Sequence, residues 1–407
     1  MFGSFYLINH CMSEISNISE QKAIVLANYM NDLLNNENAV DLLDKYKIKD
    51  TNFSPKDVVF AFDILIEKNI SINDLKFISN KLFNILNQNL QNYAALKPKE
   101  NTILQFLIND NEIALQKLKE TRELIKKINN NFDKKLLPKL ADKFKEIQKF
   151  TLHYTVIENV IFPILETKWK HYQCVKIMWS FHDDIRDNIR KIIELLNNES
   201  FDLKTFNHLC GQIFFNLSTI VFREEKIIFP LMLETISNDK LFKLNKQMSE
   251  IGLPFANISK LEIPNNDELF VSNKQIKLPT GNLTVKQLNL IFDSLHVDMT
   301  FVDENDSVQY FSNPPHRIFP RTKAIIGRKV QMCHPPESVH IVNQIIASFK
   351  SGEKDVAKFW FRLGEKYILI QYFALRTKTN EYKGTLEVSQ EISEIQAIKG
   401  ERKLLDW

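Results

Sequence analysis

The reading of this chain turns on His153-Tyr154-Thr155-Val156-Ile157-Glu158-Asn159-Val160-Ile161-Phe162-Pro163 and its echo Phe222-Arg223-Glu224-Glu225-Lys226-Ile227-Ile228-Phe229-Pro230. Both contain Glu-x-x-Ile-Phe-Pro. A helix can carry a carboxylate on its inner face and end near the proline, which cannot extend the hydrogen-bond ladder. Between them lies Met178-Trp179-Ser180-Phe181-His182-Asp183-Asp184-Ile185-Arg186. Three such helices can aim imidazole and carboxylate groups at one point, the way helix bundles build metal sites.

Working outward, glycine placement divides the chain. Between Gly3 and Gly252 there is only Gly211, whereas Gly281, Gly327, Gly352, Gly364, Gly384 and Gly400 follow. The first part is predicted all-helical, the second built from strands and turns. Residues 96–252 read as four longer helices, near 100–127, 134–162, 171–197 and 203–236, an up-down bundle. Residues 12–95 read as a small helical module. In it Ser54 caps a helix with Pro55 at the first position, and Ser71 opens another. Residues 253–283 are expected to be a linker, broken by Leu253-Pro254, Ile263-Pro264 and Leu278-Pro279-Thr280-Gly281.

Residues 284–396 change character. A helix from Thr284 to Leu295 leads into strand, turn and strand over Met299–Phe311, with later strands at 357–362, 367–376 and 384–390. This predicts an α+β domain with an antiparallel sheet. Residues 397–407 are expected to form a closing amphipathic helix.

The chain has 407 residues and a formal charge of +3, so several domains fit and no basic surface for nucleic acid is indicated. Four scattered cysteines, Cys11, Cys174, Cys210 and Cys333, make no CxxC pair and read as reduced thiols. No run of about 18 apolar residues predicts a spanning helix. A cytoplasmic protein is expected, with a peripheral hold on a membrane left open. Residues 1–11 read as an over-extended start ahead of Met12.

Three pieces, HYTVIENVIFP, VKIMWSFHDDIR and FREEKIIFP, resemble the hemerythrin-like (HHE cation-binding) family. FVDENDSVQYFS, RIFPRTKAIIGRKVQMCHPPESVHIV and GTLEVSQEISEI resemble the PAS domains that follow such bundles in bacterial proteins, and residues 50–95 resemble the helical domain of unknown function that precedes them. The resemblance implies a bundle holding two non-haem irons that bind oxygen or nitric oxide. His153, Glu158, His182 and Glu225 sit at matching places and are the expected metal ligands. The first bundle helix departs from the pattern: Thr102 and Gln105 occupy positions where relatives carry histidine. Superposing the two echoes puts Ile220 where His153 stands. Neither Thr nor Ile supplies a neutral imidazole donor.

His153 and Glu158, five apart, stand roughly 140° around a helix and do not share a face, whereas His182 and Arg186, four apart, do. His182 can therefore join a metal site or pair with Glu158 or Glu225 in a buried polar network. In the second part, Cys333, His334 and His340 are candidate cofactor-binding residues. Haem takes an axial His or Cys, although no CxxCH attachment is present.

The whole reads as a sensor or regulatory binding protein rather than an enzyme, since GxSxG, P-loop, HExxH and GxGxxG are missing from any credible context. Its partner is expected to be another protein or a second copy, reached through the PAS domain and the last helix, where Ile392, Ile395, Ile398 and Leu405 can line a contact. Metal handling or iron–sulfur repair is the alternative.

Overall fold

A computed structural model describes residues 20–35, 38–198, 200–258 and 275–401. The chain divides into two compact units between 264 and 265.

In the first unit the leading module comprises α1 (residues 20–34), α2 (Ala39–Lys45), α3 (Pro55–Glu67) and α4 (Ile72–Gln91). The caps read from sequence are present. Asp57 N–H donates to Ser54 Oγ at 3.3 Å and Ser54 N–H to Asp57 Oδ2 at 2.8 Å, a reciprocal box that satisfies two orphan donors. Asp74 N–H donates to Ser71 Oγ at 3.1 Å.

Four rods follow. The first is α5 (Ile103–Asn130). The second runs through α6 (Leu137–Gln148), α7 (Thr151–Val156), a π-turn (Ile157–Ile161) and α8 (Phe162–Lys168). The third is α9 (Val175–Leu196). The fourth joins α10 (Leu203–Arg223), a π-turn (Glu224–Ile228) and α11 (Phe229–Thr235). α12 (Asn238–Ile251) packs on α5 and α7. Leu107, Phe144, Phe181, Ile185, Ile213 and Leu217 are among the apolar side chains that fill the interior.

The two Glu-x-x-Ile-Phe-Pro echoes coincide with the two π-turns, and here the structure departs from the sequence reading. The second rod does not end at the expected 162, beside its proline, but runs on to Lys168, while the fourth ends at Thr235, close to the expected 236. In an α-helix a proline ring strikes the carbonyl four residues back. Just ahead of Pro163 and Pro230 the ladder opens instead: Phe162 N–H reaches Ile157 O, and Phe229 N–H reaches Glu224 O, both i to i−5. One extra residue per turn makes room for the ring, and π-turns of this kind recur at functional sites.

Residues 253–258, expected as the start of a linker, pack on the bundle: the amides of Phe255 and Ala256 each donate to Asp110 Oδ1 at 3.0 Å. The linker expectation for 259–274 lies outside the described residues, as do those for 1–11, Cys11 and Leu405.

In the second unit β1 (Gln275–Leu278) and β2 (Gly281–Thr284) form a hairpin around Pro279-Thr280, a stretch read from sequence only as a breaker. α13 (Val285–Ser294) then leads to β3 (Asp298–Asp303) and β4 (Val308–Phe311). α14 (Val339–Ser351) precedes β5 (Val356–Leu363), β6 (Lys366–Arg376) and β7 (Tyr382–Glu391). The antiparallel sheet has the order β4-β3-β7-β6-β5, with Phe301 opposite Leu386 and Ile370 opposite Ser389. Gly384, at φ +137°, lets β7 come so close to β3 that any Cβ would strike the Val302 carbonyl. Val302, Val308, Ile325, Val330, Cys333 and Ile346 form the core of this unit. The last described helix is α15 (Ser393–Ala397), and Gly400, at φ +69°, sits beyond its end; of the expected helix over 397–407, residues 402–407 lie outside the described residues. Among the described residues no helix is long and apolar enough to cross a membrane.

Candidate metal centre and second-unit cavity

The bundle interior holds an unusual density of buried charge. His153, Asp110, His182 and Glu224 are each fully buried, and Glu158 nearly so. They fall into two clusters.

In the first, His153 on α7 lies between two carboxylates. Its Nδ1 meets Asp110 Oδ2 at 3.0 Å and its Nε2 meets Glu224 Oε2 at 3.2 Å. Burial alone would lower its pKa, but the Glu224 charge and the Asp110 hydrogen bond outweigh it, raising the imidazole to about 9. His153 is thus an imidazolium at neutral pH, donating from both nitrogens. Asn111 on α5 ties the group to the second π-turn, donating to Glu224 Oε2 at 3.0 Å and Glu225 Oε1 at 3.3 Å. Burial pushes the Glu225 carboxyl up.

In the second cluster, Arg186 clamps Glu158 with both arms: Nη1 to Oε1 and Nη2 to Oε2, each 2.8 Å. His182 Nδ1 meets the same Oε1 at 2.9 Å. Burial pulls the His182 pKa down, so the ring is neutral. Glu158 resists burial, and the Arg186 and His182 contacts hold its carboxyl below the usual range. With a carboxylate as partner, Nδ1 carries the proton and Nε2 is left with a lone pair. Tyr154 stacks on His182 with ring centres 4.2 Å apart.

The four expected ligands are therefore not brought to one point. His153 and Glu158, on the same rod, go to different clusters, as their angular separation requires. Glu225 is not the carboxylate that meets His153; its neighbour Glu224 is. Thr102 and Gln105, the expected positions of missing histidines, lie away from the centre. Thr102, the residue ahead of α5, donates to Lys99 O at 2.7 Å without capping the helix, and half-buried Gln105 pairs with Asn109. Sequence reasoning passed over Asp110, Asn111 and Glu224. The signal was present: Leu104, Leu107, Asn111, Ala114 and Leu118 form one buried stripe of α5, and Ile213, Leu217, Ile220 and Glu224 another.

The donor set does not fit a pair of irons. Both ring nitrogens of His153 are taken up by carboxylates, Nδ1 by Asp110 and Nε2 by Glu224. Glu158 has both oxygens committed to Arg186. His182 Nε2 and Glu224 Oε1 are buried without hydrogen-bond partners, as are Asn111 Oδ1 and Tyr154 Oη. Among the described residues no three His, Cys, Asp or Glu side chains gather as a metal site would need.

In the second unit Cys333, His334 and His340 also diverge. The Cys333 thiol is buried in the core and reaches Lys329 O at 3.8 Å. His340 is exposed on α14. Only His334 lines a cavity, with Val302, Val342, Ile346, Tyr372, Thr385 and Glu387 among its neighbours. Burial lowers the His334 pKa, keeping the ring neutral. The space open to the centre of a water-sized sphere is about 30 Å³. One water needs about 10–15 Å³ by this measure, so the space matches about two waters or a diatomic molecule and is far smaller than a haem.

Comparison with known proteins matches these two regions. Residues 102–232 match the hemerythrin HHE cation binding domain, and residues 288–393 match a PAS domain. Among solved structures, the chain is similar to a C-terminal domain from Streptococcus mutans, at 30% identity over 31% of this chain and 97% of that one, with a TM-score of 0.30. A PAS domain from Colwellia psychrerythraea is 18% identical over 27% of this chain and 97% of its own, with a TM-score of 0.22. A sensory box sensor histidine kinase from Vibrio cholerae is 12% identical over 26% of this chain and 87% of its own, with a TM-score of 0.21. No curated protein matches. The chain thus carries a hemerythrin HHE domain and a C-terminal PAS domain behind a helical N-terminal region.

Proposed function

We propose that this chain, an HHE domain joined to a PAS domain, is a regulatory sensor whose input is a diatomic-sized molecule taken up by the PAS cavity. The observation that carries the reading is that cavity, apolar along Val302, Val342 and Ile346 and polar at His334, Tyr372, Thr385 and Glu387. A neutral imidazole and a hydroxyl can hydrogen-bond a weakly polar diatomic, while the apolar wall keeps water a poor competitor. The HHE bundle keeps the fold of a cation-binding domain, with charge pairs where metal ligands would converge. It serves as a rigid scaffold, and output passes by contact with a protein partner or a second copy. The chain binds and relays rather than catalyses.

A ligand shifts an equilibrium only by its differential affinity for two states, so binding must change protection somewhere in the chain. Hydrogen exchange of the full-length protein under anaerobic nitric oxide is expected to show saturable changes around Val342–Ile346 and β7. Exchange unaltered along the whole chain would contradict the reading.

A second reading, metal handling or iron–sulfur repair, draws on the two open donors, His182 Nε2 and Glu224 Oε1. It requires iron to displace the proton of His153 and the guanidinium of Arg186. The geometry favours the sensor.

A further inference from the structure

The helical module and the bundle enclose a cavity between them. Val58 and Phe62 of α3, Ser79 and Phe83 of α4, Cys174 ahead of α9, and Arg223 at the end of α10 line it. Arg223 is only 3% exposed. Its Nε and Nη2 donate to Ser79 Oγ at 3.3 and 3.0 Å, and Nη2 donates to Asn80 Oδ1 at 2.6 Å. The ring faces of Phe83 and Phe181 lie 4.7 and 4.3 Å from the guanidinium carbon. Among the described residues no carboxylate pairs with it, and Nη1 has no acceptor. Burial lowers its pKa to about 9, which still leaves it cationic at neutral pH.

A buried cation with no counter-charge is costly, and aromatic faces offset only part of that cost. The buried charges of His153 and Glu158 each meet an opposite partner; this one has a cavity. We propose that Arg223 and the cavity form a binding site for a small, singly charged inorganic anion of halide size.

The polar lining supplies donors and leaves no acceptor free to repel an anion. Arg223 offers Nη1. Ser79 Oγ accepts from the guanidinium, so its own hydrogen is available to donate. The buried Cys174 keeps its proton because burial raises the thiol pKa. The remaining walls are apolar, which suits a weakly hydrated ion. About 30 Å³ is open to the centre of a water-sized sphere, room for a halide but not for a tetrahedral oxyanion. One guanidinium balances one negative charge. The site joins α4 of the module to Arg223, whose neighbour Glu224 holds His153, so the anion would fasten the module to the bundle interior.

The test is the apparent melting temperature of the full-length protein, titrated with sodium bromide and with sodium sulfate at constant ionic strength. A ligand that binds only the folded state raises that temperature saturably. The expected result is a saturable rise in bromide, none in sulfate, and no bromide dependence in Arg223→Gln. Bromide-soaked crystals of the unmodified protein provide the second measurement, which decides alone should the variant fail to fold. An anomalous peak is expected within hydrogen-bond distance of Arg223 Nη1. A flat bromide response, an equal response to sulfate, an unaltered response in Arg223→Gln, or a cavity without an anomalous peak would each overturn the proposal.

Discussion

Arg186 illustrates what single residues do in this bundle. Its two hydrogen bonds to Glu158 neutralise a carboxylate that is nearly out of solvent. Removing one partner of such a pair strands the other, which typically costs about 3–5 kcal/mol. Arg186→Met is therefore expected to lower unfolding stability by about that much in urea titrations. The double change Glu158→Leu with Arg186→Met should recover most of it, because no charge is then stranded; equal losses in single and double variants would contradict the clamp. Asp63 gives a pH signature. It is buried, accepts from Gln173 N–H at 2.8 Å, and lies 3.4 Å from His171 Nδ1. Burial raises its carboxyl to about 6 from the usual 3.8. A raised folded-state pKa means the stability it lends is complete below the unfolded value and is lost as pH climbs through the folded one. Stability should thus fall by about 2 kcal/mol between pH 4 and pH 6 on this account. Asp63→Asn, which keeps an acceptor for Gln173, should flatten that segment of the pH profile; an unchanged slope would contradict it.

At the scale of elements, the π-turns explain both what could be read from sequence and what could not. Local signals sufficed for Ser54 and Ser71 as caps, for Pro55 at a helix start, and for the strands at β3 and β6. The Glu-x-x-Ile-Phe-Pro echoes were equally visible, but the first suggested a helix end at 162. The chain instead absorbs Pro163 and Pro230 by widening one turn. That widening shifts the phase of every residue after it. Motif superposition selected Glu225, while the stripe of α10, read forward from Ile213, points to Glu224. The β1–β2 hairpin was hidden for a different reason: Pro279 and Gly281 are as consistent with a linker as with a turn. The π-turn account carries a prediction of its own. A proline inside a regular α-helix costs about 3 kcal/mol or more. If the widened turn has relieved that strain, Pro230→Ala should change stability by less than about 1 kcal/mol in urea unfolding. A stabilisation near the full ~3 kcal/mol would show that the strain persists.

For the whole molecule, the order of a helical module, an HHE bundle and a PAS domain was legible because each has its own periodicity and its own sequence pieces. The chemistry of the bundle centre was not. Type and spacing place His153, Glu158 and His182 on inward faces, but they do not reveal which acid each base will meet. That depends on Asp110 and Asn111, more than forty residues earlier in the chain than His153. Two cationic side chains, His153 and Arg186, now occupy the carboxylates that a divalent metal would need. The measurement that tests this most directly is the metal content of full-length protein purified from iron-supplemented cells, read together with its melting temperature before and after chelation. The account predicts far less than one iron per chain and a melting temperature that chelator leaves unchanged. Two irons per chain, lost in both His182→Ala and Glu224→Ala, would contradict it.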